Sequence, residues 1–234
     1  SATAGAFRPR DQAGAPNFIL AEAGTGVGKT LGYIAPASVW AEKNDAPVWL
    51  STFTRNLQHQ IDQELDRLYP DPAVKASRVV IRKGRENYLC LLNMEEALRG
   101  VAVQRQDLIS LGLIARWAVR TRDGDLNGGD FPSWLVDLLG ARRTLDLSDH
   151  QGECIYSACS HYQKCYIERS VRRARRADLV IANHALVMVQ AVRGGFDSNI
   201  RPTRLVFDEG HHVFDAADSA FSASLSGREA SELR

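Results

Sequence analysis

Residues 17–30 read Asn17-Phe18-Ile19-Leu20-Ala21-Glu22-Ala23-Gly24-Thr25-Gly26-Val27-Gly28-Lys29-Thr30. The run Asn17 to Glu22 is apolar without alternation, which predicts a buried parallel strand rather than a half-exposed one. A helix is predicted to open at Lys29 and to run to Glu42. Between the two, Gly24, Gly26 and Gly28 let the backbone turn tightly and aim its N–H groups at an anion, with the dipole of the following helix behind them. Residues Ala23, Gly24, Thr25, Gly26, Val27, Gly28, Lys29 and Thr30 are therefore the candidate phosphate-binding loop. Lys29 is placed to reach β- and γ-phosphates and the Thr30 hydroxyl to hold magnesium, which makes ATP and Mg2+ the expected ligands. The strict pattern has Gly where this chain has Ala23, and a residue that small fits the turn.

Working outward, four more apolar runs predict strands: Pro47 to Thr52, Arg78 to Arg82, Asp178 to Ala182 and Arg204 to Asp208. A second helix is expected over Arg55 to Tyr69, where Leu57, Ile61, Leu65 and Leu68 recur at helical spacing. Pro36 predicts a kink or early stop in the first helix. Alternating strands and helices imply an α/β domain around a central parallel sheet. The rhythm is lost from Gly84 to Ala177, where Asn93 to Gln104, Leu108 to Arg120 and Ile167 to Arg176 read as helices and Thr121 to Asp130 as an exposed loop. The expected organisation is one α/β domain in two parts, residues 1–83 and 178–234, interrupted by a mainly helical insertion over 84–177. The stretch from Val213 onward reads as helical or frayed.

The last predicted strand ends in Asp208-Glu209-Gly210-His211-His212. An apolar strand delivering two adjacent acids suits a phosphate loop: Asp208 for the magnesium shell, Glu209 to orient and deprotonate an attacking water. Lys29, Asp208, Glu209 and His211 are thus the candidate catalytic residues of a nucleotide hydrolase. A histidine at a strand end is also commonly a solvated or capping residue.

The 234 residues amount to about one and a half domains at ~150 residues each, and 44% hydrophobic content supplies a core. With 29 basic and 28 acidic residues, a globally basic nucleic-acid coat and a disordered polyelectrolyte are both excluded. No apolar run is long enough to span a membrane, and the first ten residues lack a secretory core, so an intracellular, cytoplasmic protein without a membrane partner is expected.

Four cysteines, Cys90, Cys154, Cys159 and Cys165, all fall in the insertion. Their number suits one tetrahedral ligand set, and no Cys-x-x-Cys pair of the usual zinc kind occurs. An iron–sulfur cubane needs four thiolates and no such pair. Zinc, with His150 or His161 replacing one thiol, and unligated buried cysteines remain alternatives on spacing alone.

Taken together, these segments resemble the DinG and XPD group of superfamily-two DNA helicases. The resemblance rests on Glu22 to Thr30, Ser51 to Gln58, Lys83 to Cys90, the cysteine triplet, Ala182-Asn183-His184-Ala185-Leu186 and Asp208 to His211, in that order. The last two motifs look closest to the bacterial DinG-like branch. The resemblance implies a RecA-like motor domain, a 4Fe-4S cluster on the four cysteines, and ATP-driven 5′ to 3′ movement on single-stranded or forked DNA in repair or replication. It also implies a monomer and DNA contacts at Thr52, Thr54 and Arg55, although threonines before a helix also serve as caps. Lys164 to Arg176 carries six basic residues against Glu168, and Arg172 and Arg173 are further DNA candidates. The alternative for that run is a solvated helix face.

The chain departs from the family in carrying no Gln-x-x-Gly-Arg-x-x-Arg box and no second set of strands. A first motor domain is expected, with a second RecA-like domain of the full-length protein as partner and weak turnover alone. Gln12 is the only candidate for the family's adenine-reading glutamine, and it stands just before the first predicted strand without room for the helix that normally intervenes: either it is not that residue, or residues that would separate the two are absent from this chain. Competing readings are a DinG-like nuclease, an RNA helicase, a CRISPR accessory, or a zinc-stabilised nucleic-acid module with a vestigial loop.

Overall fold

A computed structural model describes residues 2–9, 17–24, 27–100, 108–139, 147–149, 153–192 and 204–222. It divides into two compact units, Ser1–Arg82 with Ala174–Arg234, and Lys83–Arg173.

The first unit is built on a parallel four-stranded sheet. Strands β1 (Val48–Thr52), β2 (Val79–Ile81), β3 (Leu179–Asn183) and β4 (Arg204–Phe207) lie in the order β2-β3-β1-β4. Register pairs Val48 with Leu179 and Arg204, and Ser51 with Ala182 and Phe207. The central strands β1 and β3 are buried almost throughout, which is why they read as continuous apolar runs. Val48, Leu50, Leu179 and Ile181 pack on Tyr33, Ile34, Ala37 and Ala41 of helix α1 (Lys29–Asn44) and on Ile61 and Leu65 of α2 (Arg55–Leu68). Trp49, Val180 and Ala182 face the other way, against Leu186 and Val187 of a later helix, His184–Val192. Alternate residues of each strand thus serve opposite helical layers.

Two expectations are corrected. Residues Asn17 to Glu22 form no strand: they are coil, with Phe18 79% and Leu20 87% exposed. An apolar run becomes a strand only when a neighbour takes its backbone N–H and C=O groups, and among the described residues none does. Helix α1 does not stop at Pro36 but continues to Asn44. The ring removes the bond that residue 36 would make to the Gly32 carbonyl, and the Thr3 hydroxyl donates to that same oxygen at 2.6 Å.

The short helix α3 (Pro72–Arg78), capped by Asp71, leads into β2. The second unit holds α4 (Leu91–Gly100), α5 (Leu108–Ala118), α6 (Ser133–Leu139) and most of α7 (Tyr166–Ala174). Its own core gathers Tyr88, Leu89, Met94, Ile114, Trp117, Leu126, Phe131, Leu135, Tyr166 and Ile167. Helices α8 (His184–Val192) and α9 (Val213–Phe221) complete the first unit. The loop expected over Thr121 to Asp130 is tied down more firmly than its composition suggests. Asp130 accepts from Trp117 Nε1 at 2.8 Å, Thr121 Oγ1 at 2.7 Å and the Arg122 N–H at 3.1 Å, and the Lys83 ammonium pairs with Asp125. No helix among the described residues is long and apolar enough to cross a membrane.

Candidate functional site

Gly28 caps α1 in the left-handed conformation, φ 74° and ψ 32°, a region glycine enters without penalty. It offers no side chain to the first turn, which also carries no acid. The leading N–H groups of a sixteen-residue helix are therefore left for an anion. Ala23 and Gly24 lie in exposed coil and Val27 just before the cap; Thr25 and Gly26 fall outside the described residues.

Strand β4 brings the acidic turn to this helix end. Lys29 Nζ lies 3.3 Å from Glu209 Oε1, joining residues 180 positions apart. Asp208 is anchored by its N–H to the Ser51 carbonyl at 2.8 Å. Burial, reinforced by the neighbouring Glu209 charge, raises its carboxyl above the usual range. Glu209 sits at φ 55°, in the left-handed region, so the turn is held against local preference. His211 is largely exposed, with Nδ1 3.6 Å from Glu209 Oε2.

Tyr33 was not singled out by sequence. It lies one turn after Thr30 on the same face of α1, a spacing that could have found it. Its hydroxyl is buried beside Thr30 and Asp208. Burial and the Asp208 charge raise its pKa strongly. The Thr30 hydroxyl and the Asp208 carboxylate are oxygen donors of the kind magnesium takes, with Tyr33 beside them. The residues present fit Mg2+ bound with a nucleotide.

His184, opening α8, is likewise buried. Its Nδ1 lies 2.7 Å from Ser51 Oγ, and burial lowers its pKa. The preceding Asn183 caps the helix, its Oδ1 accepting from the Leu186 N–H at 2.9 Å.

The candidate DNA residues fare unevenly. Thr52 is fully buried at the end of β1, so its hydroxyl is not offered to a ligand at the surface. Thr54 caps α2, accepting from the Leu57 N–H at 3.2 Å. Arg55 begins that helix; its side chain lies outside the described residues. In the second unit Arg172 is engaged by Gln163 and stands over the Tyr162 ring, whereas Arg173 is exposed.

Within that second unit Cys90, Cys154, Cys159 and Cys165 are all free and half-buried, and they line one cavity with Arg85, Tyr156, His161 and Tyr162. Cys90 directly precedes α4 and Cys165 directly precedes α7. Burial raises both thiols, while N–H groups of Leu92 and Asn93, and of Ile167 and Glu168, act the other way. Two of the four sulfurs thus meet helix-end amides that favour a thiolate. The Arg85 guanidinium, paired with Asp149, stands over Tyr156 at 5.2 Å. Among the described residues no three His, Cys, Asp or Glu side chains converge as the shell of a single ion. His161 is bound to Glu95 at 2.7 Å, and His150 lies outside the described residues. Four thiols around one cavity fit a cluster, which is larger than an ion and is held by four cysteines.

Over 226 residues, 92% of its length, the chain is 31% identical to the protein named ATP-dependent DNA helicase YoaA of Haemophilus influenzae. It is 33% identical over 229 residues, 88% of its length, to ATP-dependent helicase DinG of Mycobacterium tuberculosis. Along about nine tenths of its length the chain is thus similar to DinG-like proteins, as a piece of one would be. A third DinG-like relative, named 3'-5' exonuclease DinG of Bacillus subtilis, is 30% identical over 219 residues, 92% of this chain. The chain spans about a third of the curated relatives it matches first, 33% of the Haemophilus and Mycobacterium proteins and 22% of the Bacillus one. No family model matches this DinG-like chain.

Proposed function

We propose that the Ser1–Arg82 and Ala174–Arg234 unit is a RecA-like motor domain of a DNA helicase, binding ATP and Mg2+, and that the Lys83–Arg173 unit carries a 4Fe-4S cluster. The observation that carries the nucleotide reading is Lys29 Nζ at 3.3 Å from Glu209 Oε1, beside a helix N-terminus left without a side-chain cap. In this reading the α1 amides and Lys29 bind the β- and γ-phosphates, and Thr30 and Asp208 hold the metal. Bound magnesium supplies charge neutralisation between the phosphates. Glu209, freed from Lys29 by the incoming phosphate, accepts a proton from the attacking water. His211 orients the Glu209 carboxylate from its solvent side.

Cys90, Cys154, Cys159 and Cys165 hold the cluster, which stabilises the second unit around its cavity. In the first unit Thr54 and Arg55, at the start of α2, contact the backbone of single-stranded or forked DNA. In the second unit, taken by itself, Arg172 and Arg173 on α7 make separate contacts of the same kind. Such a surface needs cations and amides more than base readout; Arg172 has to leave Gln163 to take part. Completion of the ATP site by a second RecA-like domain, and 5′ to 3′ movement, belong to the same reading. The name of the Bacillus relative points to a nuclease, but the Lys29–Glu209 pairing beside an uncapped helix start favours the nucleotide reading.

Titration with a fluorescent ATP analogue, with and without magnesium, tests the reading. Magnesium-dependent binding by the wild-type chain, abolished in Lys29→Ala and weakened in Asp208→Asn, is expected. Binding that ignores both substitutions refutes it.

A further inference from the structure

Tyr156 stands between two of the four cysteines, and its backbone is bonded to both. Its N–H donates to Cys154 Sγ at 3.4 Å, and its carbonyl accepts from the Cys159 N–H at 3.0 Å. The residue makes these bonds at φ 47°, in the left-handed region. Asp45 shares that region as the C-cap of α1, and aspartate tolerates it, whereas an aromatic residue there is an outlier. Glycine would adopt the same backbone without strain. A strained residue kept beside a site points to a use for its side chain.

The ring supplies that use. It is 53% exposed, and the Arg85 guanidinium lies over it, 5.2 Å from the centroid. Arg85 is also paired with Asp149, whose side chain is 3% exposed. Held between ring and carboxylate, the guanidinium lies near enough to Cys154 and Cys165 to act on both electrostatically. Arg85, Asp149 and Tyr156 line the cavity that gathers the cysteines. A cluster on four thiolates concentrates negative charge on its sulfurs, and hydrogen bonds and cations beside them support it.

Resting on the cluster reading above, we propose that Tyr156 is a positioning residue for the cluster: its left-handed backbone spans Cys154 and Cys159, and its ring holds Arg85 beside the sulfurs, which slows the loss of iron. A glycine in its place would keep the backbone bonds and give up the ring. When iron is lost, each Fe–S bond that breaks leaves its electron pair on the cysteine sulfur, and the donor atoms of a chelator take the metal. With Arg85 no longer held, the sulfurs lose their nearby cation and that exchange is faster.

The test uses the full 234-residue chain, purified without oxygen and carrying its cluster. It compares the rate at which a strong iron chelator bleaches the visible absorbance with the melting temperature. Tyr156→Gly should load iron as wild type does and lose it about two- to fivefold faster, the scale of one cation–π contact at an exposed site. It should nevertheless melt no lower, because glycine relieves the strain. Tyr156→Phe keeps the π face and should lose iron at the wild-type rate. Tyr156→Leu keeps apolar bulk without a π face and should lose iron as fast as Tyr156→Gly; with Tyr156→Phe it serves if the glycine chain is unfolded.

A Tyr156→Gly or Tyr156→Leu chain that holds iron as long as wild type overturns the proposal, as does a Tyr156→Phe chain as labile as Tyr156→Gly. Faster loss with a matching fall in melting temperature shows a packing role alone and overturns it too. Each of these leaves the cluster reading intact. A wild-type chain purified with zinc, or with no metal, refutes the cluster reading, and the proposal with it.

Discussion

Replacing Glu209 with Gln is expected to tighten nucleotide binding while abolishing hydrolysis. Lys29 is held by Glu209 at 3.3 Å, with side chains 33% and 35% exposed. A phosphate competes for Lys29 against this pair. An ion pair this exposed contributes about 0.5–1 kcal/mol, and at about 1.4 kcal/mol per tenfold its removal tightens binding by about two- to fivefold. Calorimetric titration of wild type and Glu209→Gln with ATP and with ADP, both in magnesium, measures it. Because the competition is for Lys29, which reaches the β-phosphate of either nucleotide, both should gain. A gain for ATP alone would mean that relief of repulsion at the γ-phosphate is the cause. No gain, or weaker binding, would refute the competition outright.

Asp130 provides a pH test in the second unit. Burial would raise its carboxyl, but hydrogen bonds from Thr121, the Arg122 N–H and Trp117 outweigh this and lower it. A depressed acid stabilises above its unfolded pKa and loses that contribution as pH falls through the folded value. The unit's melting temperature should therefore fall below the ordinary carboxylate range, and Asp130→Asn should be less stable at neutral pH with a flatter acid limb; an unchanged limb would contradict the assignment. Thr54→Ala deletes the α2 cap and should cost about 0.5–2 kcal/mol in chemical denaturation, with Thr54→Ser recovering most of it. A silent Thr54→Ala would remove the capping role.

How far the sequence foretells this fold depends on what each element needs. Strands β1 and β3 are legible because both faces are covered, so an unbroken apolar run is the only pattern that serves. Residues Asn17 to Glu22 carry the same pattern and form no strand, because pairing is a property of two segments and composition reports one. Pro36 is a sound local warning of a break, yet Thr3, twenty-nine residues away from Gly32, supplies the missing donor, and no local pattern announces that. Thr54 reads as a cap from its place before a helix, and so it is; Thr52, two residues earlier, shows that a hydroxyl in a contact motif can point inward. At the proposed nucleotide site, residue type and spacing single out Lys29, Asp208 and Glu209, and the fold brings Lys29 to Glu209. Tyr33 and His184 do not, since what matters is that they are buried against the distant Asp208–Glu209 turn. The cysteine set is legible as four thiols, and the cavity that collects them is not.

The most direct test of a DinG-type chain with a cluster-bearing unit is iron, sulfide and zinc content after purification without oxygen. About four irons and four sulfides per chain, lost in Cys159→Ser, are expected for a cubane on Cys90, Cys154, Cys159 and Cys165. About one zinc with no iron or sulfide would contradict the cluster and leave a zinc-bearing unit in its place.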